Sequence, residues 1–298
     1  MTARWVQRMA PSLATGAWLL SALIPGNALA QNTALPLDFD AESFVQDMNG
    51  ADTPGQTEFT WIRGRYTNYG GGRGRRGGRF GGGFGGRGGW WDTDYPDAES
   101  NFLRGVQRYT NIDANSKSYD FLDLTDPRLY EHSFLYMNMK RVPIGSLYSG
   151  PDFQPDEITA LREFMFRGGF VLLDDFWGEV HLEEFQNEMA KLFPDRELVK
   201  LDTRHELFHT FFDINEVVQV PGRAVTWDYN GGFNLDDPDY PPAVYAILDD
   251  DGRVMLVANH NADLGDGWEH TFYEPYPTRY SNEAYKITIN FLIYAFTH

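Results

Sequence analysis

The chain has 298 residues, is 42% hydrophobic and 15% aromatic, and carries 43 acidic against 25 basic side chains for a formal charge of −18. That apolar material can fill the core of one large or two small domains, while so acidic a body excludes general nucleic-acid binding, which depends on neutralising phosphates. There is no cysteine, which excludes disulfide staples, thiol nucleophiles, thiolate zinc sites and iron–sulfur clusters.

Residues 1–30 have the order of a secretory signal. Arg4 and Arg8 precede an apolar stretch from Leu13 to Ile24, Pro25 and Gly26 break it, and Ala28-Leu29-Ala30 supplies a small-x-small cleavage pattern before Gln31. The stretch falls short of the ~20 residues a spanning helix needs. The expectation is a cleaved leader and a periplasmic or secreted mature chain, residues 31–298, with no transmembrane segment. Residues 31–56 are polar and broken by proline, as in an arm or linker, and 57–298 predict a single α/β domain.

Phe59–Tyr66 reads as a first strand. From Gly70 to Gly89 the chain holds thirteen glycines, five arginines, two phenylalanines and nothing else. Such a segment buries too little apolar area to offset its chain entropy, so a disordered loop is predicted. It resembles the RGG tracts of RNA-binding proteins, but export points instead to envelope polyanions, to the acidic body of the chain, or to a tolerated surface insertion.

Pro96 opens a helix with Ala98, Phe102, Val106 and Tyr109 at helical spacing. Tyr119–Leu124 and Ser133–Met139 read as short strands. Pro155 opens a second helix, with Asp156 and Glu157 where the dipole favours negative charge; its stripe is Ile158, Leu161 and Met165, and Gly168-Gly169 ends it. Phe170–Asp175 is a nearly unbroken apolar run, as in a strand buried on both faces. A third helix carries Leu182, Phe185, Met189 and Leu192 and stops at Pro194. This β-α-β-α-β order implies a mainly parallel sheet flanked by helices, as in flavodoxin-like folds. An antiparallel hairpin, Val244–Leu248 with Val254–Ala258, and a buried final helix from about Asn282 to Phe296 complete the domain.

Ligands of parallel sheets bind outside the strands' carboxyl ends, which directs attention to Asp174-Asp175-Phe176-Trp177-Gly178. Neighbouring strand residues point to opposite faces, so the two aspartates are not expected to share one cleft, and one can instead cap the following helix. His205-Glu206-Leu207-Phe208-His209 spells H-E-x-x-H, the zinc-protease arrangement. Its segment is short, its face carries Phe208 and Phe212, and no third ligand has recognisable spacing, so packing is the favoured reading. Asn259, Asn261 and Asp263 have the alternate spacing of a calcium loop, but Leu264 stands where glycine is needed and a polar turn held by Asx bonds is favoured.

Several strings together resemble a bacterial family, domain of unknown function 4159. They are Asp92-Thr93-Asp94-Tyr95-Pro96-Asp97-Ala98, Asn101-Phe102-Leu103, Leu124-Thr125-Asp126-Pro127, and Arg167-Gly168-Gly169-Phe170 leading to Asp174-Asp175-Phe176-Trp177-Gly178. Phe193-Pro194-Asp195, Leu207-Phe208-His209, Asn259-His260-Asn261 and Asp263-Leu264-Gly265-Asp266-Gly267-Trp268-Glu269 belong with them. The resemblance covers about Phe59 to the C-terminus and implies a fold like that of class I glutamine amidotransferases with no assigned reaction, in an envelope setting. Such amidotransferases need a cysteine at a strand-to-helix elbow. The matching elbow here is Phe176-Trp177-Gly178 in a chain without cysteine, so glutaminase chemistry is excluded.

The reading is a non-catalytic, amidotransferase-like envelope domain that binds a small polar molecule, a glycan or an envelope protein partner, with no nucleic acid and no cofactor. Its candidate residues are Asp94, Asp174, Asp175, His209, His260, Asp263, Asp266, Trp268 and Glu269. Calcium at Asn259, Asn261 and Asp263, and zinc at His205 and His209, are the metal alternatives. The functional alternatives are a periplasmic hydrolase using paired carboxylates or that zinc, and a scaffold assembling through the Gly/Arg-rich loop.

Overall fold

Residues 57–68, 72–73, 90–140, 142–144, 147–223 and 241–298 are described by the structure, a computed structural model. The proposed leader and arm, and most of the Gly/Arg-rich segment, lie outside the described residues.

The sheet is built from β1 (Trp61–Arg65), β4 (Tyr119–Asp123), β5 (Phe134–Asn138), β8 (Phe170–Phe176), β9 (Val199–Lys200), β10 (Ala243–Leu248) and β11 (Val254–His260). Five of these run parallel in the spatial order β4-β1-β5-β8-β11, which is 2-1-3-4-5 in order of appearance. That is a doubly wound order, with its switch point between β1 and β5. The hairpin strand β10 and then β9 extend the β11 edge antiparallel. Two small ribbons flank the sheet: β2 (Thr67–Asn68) with β3 (Gly72–Arg73), and β6 (Val142–Ile144) with β7 (Leu147–Ser149). Gly72 and Arg73, expected to be disordered, are therefore paired with the chain that precedes them.

Alternation along the strands feeds two cores. Phe134, Tyr136, Phe170 and Leu172 face one side, where α1 (Asp97–Tyr109) supplies Phe102 and Val106 and α5 (Thr278–Thr297) supplies Ala284, Tyr285 and Phe291. Leu135, Met137, Val171 and Leu173 face the other, against Leu161 and Met165 of α2 (Pro155–Phe166) and Phe185 and Met189 of α3 (Gly178–Leu192). Burying these side chains contributes roughly 1.5–3 kcal/mol apiece, and it makes a three-layer α/β/α arrangement. The expected strands and helices are present, with α5 starting at Thr278, ahead of the expected Asn282.

Two segments differ in detail from the sequence reading. The H-E-x-x-H segment, read as short and packed, is a single 3-10 turn, Glu206–Phe208, whose cap is His205 itself through Nδ1 accepting the Leu207 amide at 3.2 Å. The segment read as a polar turn contains a short helix, α4 (Leu264–Glu269), because Asp263 caps it by accepting the Asp266 amide at 2.8 Å.

Candidate functional site

Arg63 begins the construction. Its strand would normally carry an apolar side chain at that fully buried position, and the guanidinium is tied to Glu99 of α1 at 2.5 Å with neither side chain exposed. Its Nη1 donates to the carbonyls of Trp91 and Thr93. The strand thereby fixes the turn that displays Asp94. Tyr136 on β5 lies under the same guanidinium, 4.8 Å from its ring centre.

Strand β8 delivers two carboxylates. Asp174, fully buried, accepts the Leu264 and Gly265 amides at 2.7 and 3.0 Å and the Tyr136 hydroxyl at 3.2 Å, all through Oδ2. It closes the N-terminus of α4 from outside, where free amides and the helix dipole favour a carboxyl group. Asp175 has φ +62°, which breaks the regular alternation before the strand's last residue, where the pairing with β11 shifts register. Phe176 consequently falls in the same core as Val171 and Leu173, a spacing that strict alternation forbids. The expectation that the two aspartates serve separate faces is corrected on this ground. Asp175 turns to the sheet edge, where Oδ2 meets Lys140 Nζ and Asn138 Nδ2, each at 3.3 Å, and Oδ1 accepts Trp177 Nε1 at 2.9 Å. Gly178 follows with φ +72° and opens α3.

Beside them, α4 contributes Asp266 and Glu269, and its cap is Asp263. Among the described residues, one oxygen from each of Asp94, Asp263 and Asp266 lies within 4.8 Å of the others, and so do ligand atoms of Asp266, Glu269 and His270. Crowding like charges out of water shifts their protonation. Burial, then Asp266, holds the Asp94 carboxyl well above the usual range, and burial, then Asp175 and Asp266, does the same for Asp263. Asp174 is pushed up to about 8 by burial and by Asp175. For Asp266 burial acts upward too, but the His270 hydrogen bond and the Lys140 charge win and hold it below the usual range. Lys140 is raised chiefly by Asp175.

The three non-glycine residues with positive φ among those described are Asp94, Asp175 and Asn261. All three border this edge. Asn261 accepts the Gly178 amide at 2.8 Å and donates to the Pro241 carbonyl at 3.0 Å, which staples the elbow to the loop beyond β11.

Of the candidates named from sequence, Asp94, Asp174, Asp175, Asp263, Asp266 and Glu269 converge here. His260 lies next door but packs at a tilt against Phe176 and binds the Gly178 carbonyl at 3.0 Å, so it orients α3. Trp268 is wholly buried against Trp61, Phe102 and Tyr136, a core position. His209 belongs elsewhere. Its turn packs on the C-terminal half of α5, where Tyr294 binds the amide of Val254 at the start of β11. Its ring nitrogens are taken by Asp213 at 2.9 Å and the Thr203 carbonyl at 2.8 Å. Asn259 and Asn261 do not join Asp263 in a loop: Asn259 is in β11 and Asn261 is the staple. Sequence reasoning missed Arg63, Glu99, Tyr136, Lys140 and His270. Arg63 carried a signal, a charge inside an otherwise buried strand, and so did Glu99, on the apolar side of its helix.

A doubly wound α/β domain with a buried carboxylate cluster at the carboxyl edge of its sheet is the class that fold and site define. The chain belongs to the family described as Domain of unknown function (DUF4159), whose family model matches residues 82–296. No match was found among the curated proteins.

Proposed function

We propose that this chain is an exported, non-catalytic binding domain of the cell envelope that takes a polar ligand bearing positive charge at the carboxyl edge of its sheet. The observation that carries the reading is the gathering of Asp94, Asp175 and Asn261 in left-handed backbone conformations around one acidic cluster. Aspartate and asparagine adopt that conformation more readily than other side chains. Even so, such positions persist only where the surrounding packing over-determines them, and they collect at ligand sites. The topology supports the same place, since doubly wound sheets bind ligands at the carboxyl edge near the switch point, and β1 and β5 bound the turn that carries Asp94. A glycan carrying amino groups or a basic segment of an envelope protein has the required chemistry.

Thermal-shift measurements on the mature protein with polyamines, amino sugars and lysine-rich peptides test this. At least one should raise the midpoint saturably, and Asp175→Asn should abolish the rise; a flat response across the panel would overturn the reading. Intact mass of the envelope fraction should show Gln31 as the first residue, and a product retaining Met1 would remove the export part of the proposal.

A second reading, a hydrolase, has one observation in its favour. Burial raises the Asp263 carboxyl while the His270 hydrogen bond and the Lys140 charge lower that of its neighbour Asp266, and carboxyl groups pushed apart in this way serve as acid and base in glycoside hydrolysis. Release of reducing sugar from envelope polysaccharide, lost in Asp263→Asn, would establish it.

A further inference from the structure

We infer that Asp94, Asp263 and Asp266 together hold one hard divalent cation of the calcium or manganese kind. The inference rests on the reading of this edge as the binding site and names the chemistry of its deepest part.

Three carboxylates close together do not make a metal site, and two further observations point to an ion here. The first is an orphaned oxygen. Asp94 Oδ2 is sealed from solvent and has no hydrogen-bond partner, and fully buried Asp174 likewise leaves Oδ1 without one. A buried acceptor left without a partner is costly. Both carboxyl groups abut Gly265: Asp174 accepts its amide, while Asp94 Oδ2 lies 2.5 Å from where a Cβ on that residue would sit.

The second is a cradle that side chains would fill. A methyl group on Gly265 would meet Asp94 Oδ2 at 2.5 Å, the Tyr136 hydroxyl at 3.1 Å and Asp263 Oδ1 at 3.4 Å. One on Gly222 would meet Asp263 Oδ2 at 2.9 Å and Asp266 Oδ2 at 3.4 Å. The backbone thus comes up to the carboxylates from two sides at the two positions where no Cβ intervenes.

Among the described residues, neither Asp94 nor Asp263 has an ion pair of its own: Arg63 is committed to Glu99, Lys140 makes its ion pair with Asp175, and His270 lies against Asp266 and Glu269. The Lys140 charge also acts on Asp94, Asp263 and Asp266, but one ammonium group faces four carboxyl groups. Oxygen-only donors select hard cations over soft ones. Oxygens opposite one another across calcium, bound at 2.3–2.6 Å, stand roughly 5 Å apart, and across magnesium about 4 Å. Ligand atoms all within 4.8 Å of one another are compatible with the larger ion.

The test uses the full mature protein stripped with chelator, with calcium followed by calorimetry and manganese by electron paramagnetic resonance. One equivalent should bind saturably. Asp94→Asn, which keeps size and the backbone turn, should weaken binding at least tenfold and erase the calcium-dependent rise in melting midpoint, while its circular dichroism in chelator matches the parent. Absence of saturable binding to the parent, or undiminished binding to a folded Asp94→Asn protein, would overturn the inference. The cationic-ligand panel, repeated in chelator, separates the two readings. Ligand shifts that persist without any metal binding leave the polar-ligand site standing and remove only the cation.

Discussion

Arg63 and Glu99 meet at 2.5 Å in the interior of the protein, one from the second strand of the sheet in space and the other from the helix that follows the Asp94 turn. The pair is an anchor for the site, because the other arm of the guanidinium holds the carbonyls of Trp91 and Thr93. Breaking a buried pair from one side leaves an uncompensated charge, which costs about 3–5 kcal/mol. Glu99→Gln and Arg63→Met should each lower unfolding stability by roughly that amount in urea. A loss under about 1 kcal/mol in both would mean that the pair does not order the turn.

Gly178 sits at φ +72° in the elbow between β8 and α3, with its amide bound by Asn261 and its carbonyl by His260. A Cβ in this conformation costs about 1–2 kcal/mol. Gly178→Ala should therefore destabilise by about that much and disturb Asp175, three residues earlier in the same elbow. Urea denaturation gives the first effect and ligand-induced thermal shift the second. An unchanged midpoint would show that the elbow relaxes without strain.

His205 and His209 should titrate on opposite sides of the ordinary imidazole value of 6.5. The Asp213 hydrogen bond and the Thr203 carbonyl raise His209, while burial lowers His205. With His209 raised, its contribution to stability is complete below 6.5 and is lost as pH rises through its folded value. With His205 lowered, the unfolded chain takes the proton more readily, so stability is lost as pH falls below 6.5. Imidazole resonances followed by NMR should give the higher midpoint to His209. The reverse order would contradict the geometry of this turn. With both His209 nitrogens engaged, protein given one equivalent of zinc and dialysed should keep none at this segment.

Deleting residues 74–89, beyond the paired Gly72 and Arg73, should leave the fold intact. Loop length enters closure entropy only logarithmically, so the melting midpoint should move by just a few degrees. A collapse in soluble yield would indicate that these arginines neutralise the acidic body.

Periodicity and punctuation in the sequence determined the layers. Pro96, Pro155 and Pro194 mark where helices start or stop, the apolar run at Phe170–Leu173 marks a central strand, and Ala284, Tyr285 and Phe291 mark a helix that must be covered. These signals are local, because burial of a strand or helix face is written in its own residue spacing. Motif spelling and strand alternation are poor guides to the site for the opposite reason. The spacing of His205 and His209 matches a metal-binding helix, but it cannot tell that the segment caps itself as a single turn. The side-by-side order of Asp174 and Asp175 cannot tell that the second leaves the extended conformation. The site depends on contacts between elements far apart in the chain: the turn carrying Asp94 is held by Arg63, Asp174 closes a helix formed at Leu264, and Lys140 lies against Asp175. Charges gathered from four separate segments into one buried place acquire their protonation, and any affinity for a cation, only from that proximity. The tertiary structure alone decided it.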